Sequence, residues 1–200
     1  MILLLPEAKH VVEKQGRTKA FRAMRFAEDA AGLEALELAK LRFWNRKDIT
    51  LGTAATEDAL PVHVLHGLPE KQTDNPALYT KQGYCLDIAQ AELTVYYEHR
   101  AGLINALTSL KQLLTVCDGG YTLPLCEITD YPSLETRAIA QTFSWYAGYG
   151  RLGFDSQLWG YEEWVEYLNI CLDNKINQFN LVMYGYWPFD MPGYPETSLR

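Results

Sequence analysis

The sequence predicts an α+β domain followed by a βαβ segment of different character. Two observations carry this prediction: the order of strand-like and helix-like patterns, and a change in composition near residue 130. Residues 131–200 contain four of the five tryptophans and eight of the thirteen tyrosines, but only four of the eighteen Lys and Arg residues. At the change of composition, Tyr131-Pro132 forces an extended or turn conformation. We therefore expect a domain boundary near residues 130–135.

Alternating apolar and polar residues predict five strands in the first part of the chain. They lie at His10–Lys14, Ala20–Phe26, Pro61–Leu65, Tyr84–Ala89 and Glu92–Tyr97. The alternation in the last two is carried by Leu86, Ile88, Leu93 and Val95, and we expect these strands to pair as a hairpin. A helix is predicted at Leu33–Trp44. The start of the chain, MILLLPEAKH, is interpreted as a further strand.

The strongest periodic signal belongs to a helix with apolar residues at spacings of four and three. These residues are Leu103, Leu107, Leu110, Leu114 and Cys117, and the helix is expected to end before Gly119-Gly120. Strands and helices in this order predict an antiparallel or mixed sheet with helices covering one face.

The second part of the chain predicts a βαβ unit with strands at Arg137–Trp145 and Gln178–Tyr184 and a helix at Tyr161–Asp173. Trp164, Leu168, Cys171 and Leu172 line one face of this helix. Both strands are apolar runs, which indicates burial on both faces and a parallel sheet or barrel. About 70 residues remain here, against roughly 250 in a complete eight-stranded α/β barrel.

Composition and charge narrow the classes of function. The chain has 200 residues, 48% of them hydrophobic, and a net charge of -7, which disfavours nucleic acid as a partner. It has no 18-residue apolar run and no signal peptide, so we expect no membrane span and a cytoplasmic location by default, with export possible if an upstream signal was removed. The four cysteines are widely spaced and predict buried small side chains, with no metal site and no cofactor.

A series of short strings carries a family resemblance. They are Leu4-Leu5-Pro6-Glu7, Tyr84-Cys-Leu-Asp-Ile, Leu93-Thr-Val, Arg100-Ala-Gly102, Leu107-Thr-Ser-Leu-Lys-Gln112-Leu-Leu114 and Leu123-Pro-Leu-Cys-Glu-Ile128-Thr-Asp130-Tyr-Pro132, followed by Arg137. In order and spacing they resemble glycoside hydrolase family 20, the β-N-acetylhexosaminidases.

The resemblance implies a zincin-like accessory domain, a sheet covered by two helices, at residues 1–132. Residues 133–200 would then be the truncated first β/α/β of a TIM barrel, the (β/α)8 catalytic domain. The barrel part departs from the family pattern, because Arg137 is followed by Ala138 where the family has Gly, and the second strand runs into NLVMYGYWPFD.

The family's catalytic groups are expected to be absent from this chain. The resemblance implies an Asp-Glu pair late in the barrel, used with the substrate's own acetamido group, and no Asp-Glu dipeptide occurs here. The adjacent acids Glu28-Asp29, Glu57-Asp58 and Glu162-Glu163 are predicted to be solvated surface charges. We assign no catalytic residue, and the activity of these 200 residues stays open.

Candidate sugar-binding residues lie in the second part. The resemblance implies that Arg137 hydrogen-bonds sugar hydroxyls, for which a guanidinium fork is suited; the alternative is an ion pair with Glu135 or another carboxylate. Tyr184, Trp187 and Asp190 follow the second barrel strand, and Trp145 ends the first, so all four would lie on the face where barrel active sites form. The alternative for these aromatics is packing between loop and barrel.

The sequence therefore predicts the N-terminal part of a larger carbohydrate-active hydrolase, not catalytic by itself. Its partners would be a glycan or glycoside and, if the gene continues, the remainder of the barrel. The alternative is a stand-alone glycan-binding or protein-interaction module without a large exposed apolar patch. His63 and His66 lie three apart in a strand, so they should face opposite sides and share no metal.

Overall fold

A computed structural model describes residues 2–143 and 159–183. The chain divides into two compact units, residues 1–135 and 136–200. The first unit contains nine strands and three helices in its described residues. In chain order they are β1 (His10–Arg17), β2 (Ala23–Phe26), α1 (Ala30–Arg42), β3 (Thr50–Gly52), β4 (Ala59–His66), α2 (Pro76–Gln82), β5 (Tyr84–Ile88), β6 (Leu93–Tyr97), α3 (Arg100–Leu113), β7 (Thr115–Cys117), β8 (Gly120–Thr122) and β9 (Pro124–Asp130).

Seven strands of the first unit form one mixed sheet in the order β1-β9-β5-β6-β4-β2-β3. Strands β3, β2, β4 and β6 are parallel neighbours, whereas β6, β5, β9 and β1 are antiparallel neighbours. Of the two sheet types expected, the mixed one is therefore found. Strands β7 and β8 form a separate antiparallel pair.

The core lies between one face of this sheet and the helices α1 and α3. The hairpin of β5 and β6 is confirmed, with Leu86 opposite Val95 and Ile88 opposite Leu93. All four side chains are buried, as the alternation predicted. A sheet with helices on one face is thus the architecture of the first unit.

Helix α1 begins three residues before the predicted start, because Asp29 caps it. The Asp29 carboxylate accepts a hydrogen bond of 2.7 Å from the backbone N–H of Gly32. Asp is a preferred N-cap residue, since its side chain satisfies an N–H that has no partner within the helix. The helix therefore starts at Ala30, before the apolar periodicity that Leu33 begins.

Helix α3 confirms the leucine face but ends earlier than predicted. Its last residue is Leu113, and Leu114 is its C-cap. Cys117, predicted to lie on the helix, instead lies in β7 and pairs with Gly120 across a tight turn. The β-branched pair Thr115-Val116 favours an extended chain, and the chain reverses at Asp118-Gly119 before Gly120, whose φ of +119° favours glycine.

Other predictions at the chain start and in short segments were wrong or missing. Residues 2–9 form no strand; Leu4 is buried, and the Leu5 backbone is held by the Gln112 side chain. The sequence patterns did not predict β3, α2, β7, β8 and β9. Three of these elements, β3, β7 and β8, have only three residues each, which is too few to establish a period.

Helix α3 is buried around most of its circumference, whereas its sequence predicted one buried face. Its buried polar residues are Asn105, Thr108, Ser109 and Lys111. Thr108 accepts a hydrogen bond from the buried Arg42 of α1, at 3.4 Å, and the Lys111 ammonium lies 5.6 Å from the ring centre of Trp44. Polar groups can be buried at this helix because they have partners.

A buried hydrogen-bond network joins β5, α3 and β9. The Tyr84 hydroxyl lies 2.6 Å from the Ser109 hydroxyl and donates to the Asp130 carboxylate at 3.0 Å. The other oxygen of Asp130 accepts from the backbone N–H of Lys9 at 3.2 Å. One tyrosine side chain therefore links three elements of the first unit.

The second unit contains two strands and a helix in its described residues: β10 (Ala138–Phe143), α4 (Tyr161–Asp173) and β11 (Gln178–Met183). The strands are parallel, with Ala138 opposite Gln178 and Phe143 opposite Met183. The predicted βαβ order and the bounds of its helix are confirmed. Helix α4 ends in a Schellman motif, in which Lys175 adopts a positive φ of 57°.

The strands of the second unit are not buried on both faces, as their apolar runs had predicted. Ala138 and Ala140 are exposed, and Leu181 is 43% exposed. The inward side of α4 packs in an aromatic cluster, in which Trp164 and Tyr167 lie with their ring centres 5.9 and 6.1 Å from that of Phe179. Of the predicted helix face, Trp164 and Cys171 pack inward, whereas Leu168 and Leu172 are exposed.

We predict that Gly102→Ala strongly destabilises the first unit. A Cβ on Gly102 would lie 2.1 Å from the carbonyl oxygen of Gly83, at the end of α2. Asn105 fixes the same helix end by donating to the Gln82 carbonyl at 2.9 Å. We expect a loss of about 2 to 4 kcal/mol in the free energy of unfolding, although Ala is the better helix former.

Gly52→Ala is the matched control for this substitution, because no atom lies within 4 Å of the added methyl group. Urea unfolding followed by circular dichroism measures both variants. Equal stability of the two variants would contradict this prediction, because it would show that α2 and α3 can move apart without a loss of stability.

We predict that Tyr84→Phe lowers the free energy of unfolding by about 1 to 3 kcal/mol, since Asp130 loses a buried donor. Tyr96→Phe serves as control, because the Tyr96 hydroxyl makes no hydrogen bond within the described residues. Urea unfolding near pH 7 compares the two variants, and a loss as large for Tyr96→Phe would contradict the assigned role.

The raised pKa of Tyr84 also predicts that the first unit loses stability at high pH. Burial and the Asp130 carboxylate raise the pKa of Tyr84 well above its usual value of 10. Above pH 10 the unfolded state releases the Tyr84 proton, whereas the folded state keeps it. The stabilisation by the buried Tyr84 hydroxyl is therefore complete below pH 10 and declines as the pH rises above that value. Unfolding at increasing pH should show a shallower decline for Tyr84→Phe than for the native chain.

Candidate functional site

Arg137 is the one predicted sugar-binding residue that lies within the described part of the chain. It immediately precedes β10 and is half-buried. Its Nε donates a hydrogen bond of 2.7 Å to the backbone carbonyl of Lys175, and its backbone N–H donates to Asn177 at 2.8 Å. Its carbonyl accepts from the N–H groups of Asn177 and Gln178. These contacts hold the segment after α4 against the start of β10.

The remaining predicted sugar contacts, Trp145, Tyr184, Trp187 and Asp190, lie outside the described residues. Their assignment therefore stays a prediction. Glu135, the alternative partner proposed for Arg137, forms an ion pair of 2.9 Å with Lys81 of α2. The Glu135 carbonyl also accepts from the Gln82 side chain at 2.9 Å.

The three adjacent acid pairs lie on the surface, as predicted. All six side chains are exposed. Two of them cap helices: Asp29 caps α1, and the Glu163 carboxylate accepts from the backbone N–H of Gly160 at 2.9 Å, before α4. An acid placed at a helix N-terminus also interacts favourably with the helix dipole.

The histidine and cysteine predictions concern metal and thiol chemistry. His63 and His66 lie on opposite faces of β4, as expected; His63 is 3.4 Å from Glu92, and His66 packs edge-on against Tyr97. Within the described residues, no three metal-ligating side chains come together.

All four cysteines are free, and three are buried; Cys117 is half-buried. Burial raises the pKa of the Cys126 thiol to about 11.

An open cleft of about 710 Å³ on the first unit was not anticipated from the sequence. It is lined by Leu68, Pro69, Glu70, Lys71, Gln72, Thr73, Pro76, Tyr79, Thr80 and Glu98. The Tyr79 hydroxyl donates to the Pro69 carbonyl at 2.8 Å and fixes the loop that forms one wall. No periodic pattern marks this loop, so the sequence carried no signal for the cleft.

The end of the same loop is held by Tyr131. The Tyr131 hydroxyl donates to the Asp74 carboxylate at 2.6 Å, and the Lys9 ammonium lies 3.5 Å from that carboxylate. Both contacts lower the pKa of Asp74. The Tyr131 ring packs edge-on against that of Tyr79. The string Asp130-Tyr131 therefore has a structural role at both residues.

Comparison with known families agrees with this architecture. The family model described as "Glycosyl hydrolase family 20, domain 2" matches residues 4–131, which is more than half of the chain. The chain belongs to glycosyl hydrolase family 20. The resemblance seen in the sequence is confirmed, and the first unit is the family 20 accessory domain.

Solved structures of family 20 enzymes have similar folds. The N-acetyl-β-hexosaminidase of Streptomyces plicatus is 18% identical, with a TM-score of 0.62, over 89% of this chain and 34% of that chain. The exo-β-N-acetylglucosaminidase of Vibrio harveyi is 17% identical, with a TM-score of 0.61, over 89% and 25% of the two chains. The Flavobacterium johnsoniae chitobiase is 19% identical, with a TM-score of 0.61, over 97% and 29%.

The chain spans about a quarter to a third of the length of these enzymes. At this level of identity, the likeness shows a shared fold. A search of curated protein sequences gave no match. Among the helices at residues 2–143 and 159–183, none has the length and apolar character needed to cross a membrane.

We predict that Arg137→Met lowers the free energy of unfolding of the second unit by about 1 to 2 kcal/mol, because the Lys175 carbonyl loses a charged donor. Arg25→Met is the control, since Arg25 is also half-buried and makes no hydrogen bond within the described residues. Thermal unfolding followed by tryptophan fluorescence measures the effect. Unchanged stability in Arg137→Met would leave sugar binding as the better explanation for this arginine.

Proposed function

We propose that this chain is the N-terminal part of a hexosaminidase-like glycoside hydrolase and is not catalytic by itself. In this proposal residues 1–132 are the accessory domain, and residues 133–200 are the beginning of a (β/α)8 barrel. The whole protein would hydrolyse O-glycosyl bonds of glycans or glycosides. The observation that carries the proposal is the extent of the structural similarity to family 20 enzymes.

That similarity extends beyond the accessory domain. The family model ends at residue 131, but the structural matches cover 89% to 97% of the chain. The second unit therefore contributes to the likeness. The three enzymes compared are described as a hexosaminidase, a β-N-acetylglucosaminidase and a chitobiase, which supports a carbohydrate substrate.

The architecture of the second unit also supports the barrel proposal. A (β/α)8 barrel is built from parallel strands, each followed by a helix, and β10, α4 and β11 have this order with parallel strands. The exposed Leu181 and the half-buried Ile139 are side chains that neighbouring barrel elements would cover.

The proposed sugar contacts remain Arg137, Trp145, Tyr184, Trp187 and Asp190. In a barrel, Trp145 would follow the first strand, and the other aromatic residues would follow the second, at the carboxyl ends where barrel active sites form. Aromatic faces pack against the apolar faces of sugar rings, and the Asp190 carboxylate would accept hydrogen bonds from hydroxyls.

We predict that the 200-residue chain does not hydrolyse 4-nitrophenyl N-acetyl-β-D-glucosaminide, because no Asp-Glu pair is present. It should also bind a hydrophobic dye at neutral pH while keeping its circular dichroism. The absorbance of released nitrophenol and the dye fluorescence are the two measurements.

Turnover that copurifies with the chain through two different columns would contradict the non-catalytic assignment. Dye fluorescence no higher than that of a compact control protein would contradict the incomplete barrel and favour the stand-alone module. Sequencing the gene past the codon for Arg200 gives an independent result, since the proposal expects the reading frame to continue into an Asp-Glu pair.

A further inference from the structure

The loop between β4 and α2, residues 67–75, crosses one face of the sheet of the first unit, and we term it the strap. Pro69 lines a cavity together with Tyr96 of β6, and Gln72 lines a second cavity together with His10 of β1. Between these two points lie β5 and β9. The strap therefore spans three strand spacings, or about 14 Å across the sheet.

The strap lies on the face of the sheet that α1 and α3 do not cover. Leu86, Val95 and Ile128 point toward those helices and belong to the core. Their neighbours along each strand point the other way, and residues directly opposite each other share a face. Two rows across the strands therefore face the strap: His10, Thr129, Cys85 and Tyr96, and next to it Val12, Glu127, Asp87 and Thr94.

The strap is held in place by hydrogen bonds along its length. It begins at Gly67, which has a positive φ of 109° and whose N–H donates to the Tyr97 carbonyl at 2.7 Å. The Tyr79 and Tyr131 hydroxyls bind it further along, at the two contacts described above. A ligand held by a wall that is already ordered loses less free energy to ordering on binding.

Two cavities of about 160 and 220 Å³ lie between the strap and the sheet. Lys71, Glu127 and Thr129 line both of them, so the cavities form one continuous groove, which we term the strap groove. All residues that line it belong to the first unit. Both walls of the groove are therefore part of the accessory domain itself.

The charged side chains of the strap groove balance one another. The Lys14 ammonium lies 3.2 Å from the Asp87 carboxylate and 2.9 Å from that of Glu127. Its hydrogen bond lowers the pKa of Glu127, which therefore stays an ionised acceptor at neutral pH. With Lys71, two ammonium groups face two carboxylates, so their formal charges cancel. Such a lining has no overall attraction for a cation or an anion and favours a neutral polar ligand.

The groove also offers hydrogen-bond donors to a ligand. Within residues 2–143 and 159–183, the Tyr96 hydroxyl and the Lys71 ammonium make no hydrogen bond. The carboxylates of Asp87 and Glu127 are acceptors beside them. A sugar hydroxyl both donates and accepts, and the half-buried Tyr96 ring supplies a flat apolar surface for a sugar ring. Mixed donors and acceptors beside an aromatic ring suit a neutral sugar.

We propose that the strap groove is a glycan-binding site of the accessory domain and binds a neutral oligosaccharide. The Lys71 ammonium and the Tyr96 hydroxyl donate to the sugar, and Glu127 accepts from its hydroxyls. The length of the groove accommodates more than one linked ring. The choice of N-acetylglucosamine as the repeating sugar rests on the proposed function, whereas the position of the site rests on the first unit alone.

A titration with two matched tetrasaccharides tests the proposal. One is N-acetylated chitotetraose, and the other is the same tetramer with its C6 hydroxyls oxidised to carboxylates. Amide resonances of the ¹⁵N-labelled 200-residue protein are followed by NMR at pH 7. We expect saturable shifts at residues 67–75 and 127–129 with the neutral tetramer, at a Kd of about 1 mM. The anionic tetramer should bind at least about tenfold more weakly, because it meets Asp87 and Glu127.

Matched variants assign the binding to named side chains. Lys71→Ala and Tyr96→Phe should each weaken binding of the neutral tetramer about fivefold, the effect of losing one hydrogen bond. Lys47→Ala is the control for Lys71→Ala and should change binding less than about twofold. Lys47 is likewise exposed, makes no hydrogen bond within the described residues and lies outside the groove.

Three results would overturn the proposal: no saturable shifts in the first unit, equal binding of the two tetramers, and equal effects of Lys71→Ala and Lys47→Ala. Shifts confined to residues 136–200 would count against the strap groove but would support sugar binding by the second unit. The proposed hydrolase function is tested separately, by turnover of the glycoside and by the reading frame past Arg200.

Discussion

The buried Tyr84 hydroxyl forms the hydrogen bonds that connect the central elements of the first unit. It joins β5 to α3 through Ser109 and to β9 through Asp130, and Asp130 also binds the backbone of Lys9. A buried carboxylate is tolerable only when its hydrogen-bonding capacity is used. These hydrogen bonds therefore link the sheet, α3 and the chain before β1 to one another.

The two units bury their apolar side chains to different extents. In the first unit, the sheet and the helices α1 and α3 enclose a continuous core, and buried polar groups such as Arg42 and Thr108 have partners. In the second unit, one side of α4 packs in an aromatic cluster, while Leu168, Leu172 and Leu181 remain exposed. In the proposed function, further elements of a complete barrel would cover these side chains.

Prediction from the sequence succeeded where a pattern was long and locally consistent. The hairpin of β5 and β6, the leucine face of α3 and the bounds of α4 followed from periodicity. It failed at β7 and β3, whose three residues are too few to establish a period. For the candidate site, the sequence indicated Arg137 but not its bond to the Lys175 carbonyl, because that contact joins residues 38 positions apart through backbone geometry.

The sequence by itself determined the family, the order of most elements and the exposure of the acid pairs, because motifs, periodicity and charge are local properties. The tertiary structure alone decided that the sheet is mixed and that α3 is buried around most of its circumference. It also decided that Leu168 and Leu172 of α4 remain exposed. These features depend on which surfaces meet in space. Whether an apolar side chain faces a neighbouring element or solvent depends on where the surrounding elements lie in the folded chain.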